Sequence, residues 1–138
     1  MALKFNNKIK LSWDDLETLV DKLCEKIPFE TPTVDSVTGI ARGGLIPAVM
    51  VSHKTGLPYV DAVGPNTLVI DDIADSGVTL QNSPGVYTAV LHYKPHTSSF
   101  KPNIWAEEHK GDEWQIYPWE KLDSIAIQDY LKEEVIYR

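Results

Sequence analysis

A β-branched, apolar run that ends in acidic residues limits the fold of this chain more than any other feature. Residues 67–70 (Thr-Leu-Val-Ile) suit a strand that is buried on both faces, as in a parallel sheet. Asp71 and Asp72 follow directly. Because open α/β sheets bind ligands beyond the carboxyl ends of their strands, these carboxylates are predicted to face a ligand.

A turn of small and hydroxyl-bearing residues comes next. After Asp75 the chain reads Ser76, Gly77, Val78 and Thr79. Backbone N–H groups, hydroxyls and the start of a following helix suit such a turn to an anion. Carboxylates beside an anion site would repel a ligand that carried only negative charge. They suit a ligand that also carries hydroxyl groups and a divalent cation, as a phosphorylated ribose with Mg²⁺ does.

A second strand, turn and helix lie upstream. Residues 35–40 predict a strand, and a helix is predicted from Leu45 to about Lys54. Between them stand Ala41, Arg42 and a Gly-Gly pair. A guanidinium beside a helix N-terminus is suited to clamp a pyrophosphate.

The strand, the paired acids and the phosphate turn together resemble the 5-phosphoribosyl-1-pyrophosphate (PRPP) motif of the type I phosphoribosyltransferases. That resemblance implies an α/β fold, a mainly parallel sheet flanked by helices with a small C-terminal hood. The prediction is one domain, 1–138, with the hood at about 94–120.

The resemblance also implies roles for the site residues. Asp71 and Asp72 would hold the ribose hydroxyls and Mg²⁺, and Asp75 would manage a proton on the base; these three are the catalytic candidates. The predicted PRPP and phosphate contacts are Asp71, Asp72, Asp75, Ser76, Gly77, Val78, Thr79, Ala41, Arg42 and Gly43.

Two stretches look like the hood of the purine branch of the family: Lys94-Pro95 and the segment 114–120. By position, Lys94 would bind the 6-oxo group of the base, Trp114 would stack on the ring, and the main chain at Gln115 would read the 2-position. An indole face supplies stacking area and an ammonium can point at a carbonyl oxygen. The implied reaction is purine base plus PRPP giving a nucleoside monophosphate and pyrophosphate.

Other interpretations of the acidic stretch remain. It could be a solvated turn, or the Asp-Asp-x-x-Asp pattern of isoprenoid synthases, although that pattern needs a long helix and Gly77 argues against one. The fold could also serve a non-catalytic regulatory protein that binds PRPP or a nucleotide, or an interaction domain without a small ligand.

One segment departs from the family. Enzymes of this kind carry a long mobile loop before the central strand, whereas Val63 to Thr67 leaves room only for a turn. In this family the loop closes over the site during the reaction. Transfer from PRPP passes through a state that resembles a ribosyl cation, which must be kept from water. We therefore expect either a homo-oligomer whose neighbouring subunit shields the site, or slow turnover with hydrolysis of PRPP.

Composition excludes several function classes. A net charge of −7 argues against nucleic acid and anionic membranes as partners, so the expected partners are small-molecule substrates. The single cysteine, Cys24, excludes an internal disulfide, and without a leader or an apolar span the cytoplasm is expected. The four histidines show no metal-ligand spacing.

The remaining predicted elements are an edge strand at 4–11, a helix at 13–27 that Ser12 begins and Pro28 ends, strands at 58–63 and 86–93, a short helical turn after Thr79, and a closing strand and helix within 123–138.

Overall fold

The computed structural model describes residues 3–5, 7–29, 34–75 and 87–121. In chain order its elements are β1 (Leu3–Phe5), β2 (Lys8–Lys10), α1 (Trp13–Glu25), β3 (Ser36–Gly39), α2 (Leu45–Thr55), β4 (Thr67–Ala74), β5 (Tyr87–Tyr93), β6 (Ile104–Glu108) and β7 (Trp114–Ile116).

A parallel sheet forms the centre of the molecule, as predicted. Its strand order is β3-β4-β5-β6, and every neighbouring pair runs in parallel. The carboxyl ends of the four strands therefore lie at one edge. The turn after β3, the acidic residues of β4 and the residue after β5 are brought together there, which is the arrangement that the sequence pattern predicted.

Helix α1 begins at a capping box. The Ser12 hydroxyl accepts the Asp15 N–H at 3.0 Å, and an Asp15 carboxylate oxygen accepts the Ser12 N–H at 2.8 Å. Two otherwise unpaired backbone donors are satisfied in this way. The helix ends at Glu25, two residues before the predicted end, and its Leu16, Leu19, Val20 and Leu23 pack into the core.

Helix α2 has the predicted start and C-terminal cap. Pro47 lies in the first turn, where its missing N–H has no intrahelical partner to lose. Gly56 ends the helix with φ 80°, a left-handed conformation that glycine adopts without steric cost. The helix packs on β3 and β4, and so fixes the turn that precedes it.

Three predicted strands differ from the structure. β4 continues through Asp71 and Asp72 to Ala74, because β5 pairs with its backbone beyond the apolar run. The strand expected at 58–63 is reduced to a single bridge between Val37 and Tyr59. The strand expected at 4–11 is a hairpin of two short strands, β1 and β2.

The segment 94–120 contains two strands that the sequence pattern did not reveal. β6 is the edge strand of the central sheet, while β7 pairs in parallel with β2 to form a small second sheet with β1. The N–H of Leu11 extends this pairing by donating to Ile116 O at 2.9 Å.

The principal core lies between the central sheet and the helices. Its largest fully buried side chains are Tyr117, Leu16, Leu23, Leu68, Ile70 and Leu91. No helix in the described ranges is long and apolar enough to cross a bilayer. The elements predicted after Thr79 and within 123–138 lie outside the described residues.

Candidate functional site

The acidic pair lies within the last half of β4, not beyond its end. Oδ1 of Asp71 accepts the N–H of Asp72 at 2.8 Å, and Oδ1 of Asp72 accepts the N–H of Ile73 at 2.8 Å. Each carboxylate is thus held by the backbone donor that follows it. Asp71 is buried and Asp72 is half-buried, so the pair lies partly sheltered at the sheet edge.

The turn between β3 and α2 packs directly against this pair. A Cβ atom on Gly43 would lie 2.1 Å from Oδ2 of Asp72, and one on Gly44 would lie 2.2 Å from Ile70 O. At Gly44 the neighbours are backbone atoms, so no side chain fits between the turn and β4; at Gly43 an added Cβ would displace the Asp72 carboxylate. Arg42 is exposed in the same turn, where it is able to meet a ligand that contacts the acidic pair.

Asp75 and Lys94 meet at the same edge. Nζ of Lys94 lies 3.7 Å from Oδ2 of Asp75, and the Lys94 side chain is only 5% exposed. The Thr97 hydroxyl donates to Oδ1 of Asp75 at 2.7 Å, which fixes that carboxylate. A cationic donor and an anionic acceptor therefore stand side by side.

Trp114 lies next to this donor–acceptor pair. Nζ of Lys94 is 5.9 Å from the centroid of the Trp114 ring, within the range of a cation–π contact. The ammonium also donates a long hydrogen bond, 3.4 Å, to Glu113 O. These contacts, with the Asp75 carboxylate, orient the ammonium.

A pocket opens beside these residues. It is lined by Asp72, Ile73, Trp114, Gln115, Tyr117 and Glu120. Gln115 is 5% exposed, and its Oε1 has no hydrogen-bond partner among the described residues. A buried acceptor without a partner costs about 1–3 kcal/mol, so a nearby ligand N–H group would relieve that cost.

The structure thus brings together Asp71, Asp72, Asp75, Arg42, Gly43, Lys94, Trp114 and Gln115, and Ala41 begins the glycine turn. The phosphate turn Ser76, Gly77, Val78 and Thr79 lies outside the described residues. Its predicted role stays a prediction from the sequence.

The donor set fits a magnesium ion only in part. The described ranges contain no group of three His, Cys, Asp or Glu side chains that could hold a metal. Mg²⁺ nevertheless prefers oxygen ligands, and it commonly takes one or two carboxylates together with water and substrate phosphates. Asp71 and Asp72 fit an ion of that kind, which the substrate would help to hold.

Tyr117 and His92 adjoin the site, although the sequence pattern predicted no role there for either residue. The Tyr117 hydroxyl lies 3.2 Å from Asp72 O and 2.8 Å from Nδ1 of His92. Burial lowers the pKa of His92 to about 4, so the imidazole is neutral at pH 7. Burial, reinforced by Asp72, raises the pKa of Tyr117 well above its usual value, so the hydroxyl keeps its proton.

His109 lies near this pair, with its ring centroid 6.4 Å from that of His92. Burial lowers the pKa of His109, and the neighbouring Lys94 ammonium adds to the effect. The Lys94 ammonium therefore lies near two imidazoles whose lowered pKa values disfavour their protonation.

No protein-family model matches the chain. Among curated proteins, the chain is 26% identical to the xanthine-guanine phosphoribosyltransferase of Cereibacter sphaeroides. The alignment is 145 positions long with its gaps, and it covers 80% of this chain and 85% of that protein.

Two solved structures are similar in fold. The purine phosphoribosyltransferase of Pyrococcus horikoshii has a TM-score of 0.68 at 24% identity, covering 88% of this chain and 99% of the other. The xanthine-guanine-hypoxanthine phosphoribosyltransferase of Helicobacter pylori has a TM-score of 0.66 at 16% identity, covering 92% and 97%. These likenesses extend over most of the chain.

Proposed function

We propose that this chain, a relative of the xanthine-guanine phosphoribosyltransferases with the type I phosphoribosyltransferase fold, transfers the 5-phosphoribosyl group from PRPP to a 6-oxopurine. The resemblance and the fold predicted from sequence are both confirmed by the likenesses above. In the proposed reaction the bond from C1 of the ribose to pyrophosphate breaks. A bond from that carbon to a ring nitrogen of the base forms, and the base gives up a proton.

The observation that carries the proposal is the pairing of Lys94 with Asp75. Their side chains place a donor and an acceptor 3.7 Å apart. A 6-oxopurine presents the complementary pair along one edge: the 6-oxo oxygen, which accepts, and the adjacent ring N–H, which donates. Adenine would instead place an amino donor against the Lys94 ammonium.

Trp114 and Gln115 supply the remaining base contacts. The half-buried indole beside Lys94 offers a face on which a planar base can stack. Gln115 lies in the same strand and lines the adjoining pocket, so its main chain and its unpaired acceptor are near the base. A flat, polar-edged heterocycle matches these surroundings better than an aliphatic substrate does.

Asp71 and Asp72 would hold the ribose hydroxyls and Mg²⁺. The ion would neutralise charge on the pyrophosphate as it leaves. The carboxylates supply the protein oxygens, and Oδ2 of Asp72 lies against the turn that holds Arg42. Arg42 and Gly43 would then bind the pyrophosphate, and Ser76 to Thr79 the phosphate at the other end of the ribose.

Catalysis would come from positioning and from stabilisation of charge. No side chain need attack the sugar, because the base is itself the nucleophile. Asp75 faces the proposed base edge and is the group placed to accept or hold the proton on its ring nitrogen.

Turnover tests the proposal. The protein is incubated with PRPP, Mg²⁺ and guanine, hypoxanthine or xanthine, and nucleotide and pyrophosphate are measured, with calorimetry of PRPP and guanosine monophosphate in parallel. We expect nucleotide to form, with pyrophosphate equal to the sum of nucleotide and any ribose 5-phosphate released by hydrolysis. Tight binding of both ligands without turnover would instead indicate a nucleotide-binding regulatory protein, and absence of binding would exclude both functions.

A further inference from the structure

The Tyr117 hydroxyl joins two parts of the molecule that belong to different sheets. Tyr117 directly follows β7 of the small sheet, and its side chain is 2% exposed. Its hydroxyl lies 3.2 Å from the main-chain oxygen of Asp72, which belongs to β4 of the central sheet. The ring stacks on Trp119 with centroids 5.1 Å apart and planes inclined by 8°.

The Tyr117 hydroxyl has one proton and two polar neighbours, Asp72 O at 3.2 Å and Nδ1 of His92 at 2.8 Å. The carbonyl only accepts, whereas Nδ1 donates or accepts according to the tautomer of His92. Both contacts are hydrogen bonds at once only when His92 carries its proton on Nδ1, so the arrangement in which Tyr117 donates to Asp72 O requires that tautomer. Nε2 of His92 faces Oε1 of Glu107 at 3.9 Å, beyond hydrogen-bond distance.

These contacts connect the two halves of the proposed site. β7 carries Trp114 and Gln115, which are proposed to bind the base. β4 carries Asp71 and Asp72, which are proposed to bind the ribose and Mg²⁺. A hydrogen bond from Tyr117 to Asp72 fixes the distance between these strands, and an error of about 1 Å between reacting groups is able to cost about 100-fold in rate.

We propose that Tyr117 is a positioning residue whose hydroxyl, oriented by His92, sets the registration of the base-binding strand against the carboxylate strand. The inference rests on the proposed function, because it assigns the two strands to two ligand halves. It adds a residue pair that acts through the main chain of Asp72. Tyr117 as a mere packing residue is the competing explanation.

Tyr117→Phe separates the two explanations, because it removes one oxygen and keeps the ring. If Tyr117 positions the strands, kcat falls about 10- to 100-fold while KM for PRPP changes by less than about threefold. Guanosine monophosphate, which occupies both halves at once, binds about tenfold more weakly, whereas PRPP, which occupies one, does not. Tyr93→Phe is the matched control, because Tyr93 is also buried and its ring also packs against a tryptophan, Trp105.

His92 offers a rescue test. In His92→Asn the amide nitrogen takes about the place of Nδ1 and is able to donate to Tyr117, whereas His92→Leu has no donor. We expect the asparagine variant to retain most of kcat and the leucine variant to resemble Tyr117→Phe. A ¹⁵N spectrum of the wild-type histidines at pH 7 should show the His92 proton on Nδ1.

Several outcomes would overturn the inference. One is a Tyr117→Phe protein with a lower melting temperature but unchanged kcat and unchanged nucleotide affinity, which would leave Tyr117 as packing alone. Another is a His92 proton on Nε2. If the wild-type protein binds nucleotide without turnover, the affinity comparison still decides the positioning role. If it binds neither PRPP nor nucleotide, the proposed function fails, and the inference with it.

Discussion

Lys94 follows Tyr93 and Asp75 follows Ala74, and Tyr93 and Ala74 are paired in the register of β5 and β4. The sheet itself therefore brings Nζ of Lys94 to 3.7 Å from Oδ2 of Asp75. The N–H of Lys94 adds a hydrogen bond of 3.0 Å to Ala74 O. Backbone pairing thus holds the two residues side by side at the ends of adjacent parallel strands, from which their side chains meet.

Lys94→Met should lower kcat/KM for guanine by about 10- to 100-fold, the scale of one hydrogen bond to a charged group. Methionine keeps the aliphatic stem but removes the donor that faces the 6-oxo oxygen. Lys54→Met is the control, since Lys54 pairs with Asp21 at 2.9 Å between the two helices. Steady-state kinetics check the pair of variants; equal losses in both would contradict a specific role for Lys94.

Arg42→Ala should weaken PRPP binding by about 1.5–3 kcal/mol, because the pyrophosphate loses a charged donor. Binding of guanosine monophosphate should change little, since that product lacks the pyrophosphate. Titration calorimetry with both ligands measures the difference. A parallel loss for both would indicate a damaged fold, and no loss for either would remove Arg42 from the site.

Gly43→Ala should raise the Mg²⁺ concentration needed for half-maximal activity by about tenfold, the scale seen when groups that hold metal ligands are changed. The added Cβ would lie 2.1 Å from Oδ2 of Asp72, so the carboxylate must move. Gly64→Ala is the matched control, because its Cβ would meet only Thr67 Oγ1 at 3.5 Å. Magnesium titrations of activity should separate them; identical curves would place the metal elsewhere.

The stability of the protein should depend on His92 between about pH 4 and pH 6.5. Burial lowers the folded-state pKa to about 4 from an ordinary 6.5; Glu107 opposes this shift, and His109, Lys94 and Lys22 assist it. In that window the unfolded chain binds a proton that the folded chain does not. The contribution of neutral His92 to the free energy of unfolding is therefore fully present above pH 6.5. It is lost as the pH falls to 4, which lowers the free energy of unfolding by about 3 kcal/mol.

Urea denaturation at pH 4.5, 5.5 and 7 measures that dependence, with His92→Asn as the comparison. In the variant the free energy of unfolding should change less between pH 4.5 and pH 7, because the histidine that takes up the proton is gone. Parallel slopes for the two proteins would show that His92 does not titrate in this way.

The predictable part of the fold is the part with local signals. In three places a few neighbouring residues are enough to predict the local conformation: the capping box at Ser12, the left-handed Gly56 and the apolar run at 67–70. The sequence predicted a strand that ends at Ile70, because the apolar run stops at Asp71 and Asp72. The structure continues it, because β5 supplies backbone partners and each carboxylate binds the N–H that follows it.

The less predictable part depends on contacts between distant segments. Pro58–Val63 reads as a strand, but only Tyr59 finds a bridge partner, in Val37. β7 is three residues long and is stabilised by β2 from the other end of the chain. Tyr117 and His92 stand in apolar stretches that carry no local sign of their hydrogen bond.

A competition assay between two bases tests the proposed transfer to a 6-oxopurine. The protein receives PRPP, Mg²⁺ and equal amounts of guanine and adenine, and guanosine monophosphate, adenosine monophosphate and ribose 5-phosphate are quantified. We expect guanosine monophosphate as the main nucleotide, since Lys94 would donate to a 6-oxo group and repel a 6-amino group. Adenosine monophosphate as the main nucleotide, or ribose 5-phosphate with no nucleotide, would contradict the proposal.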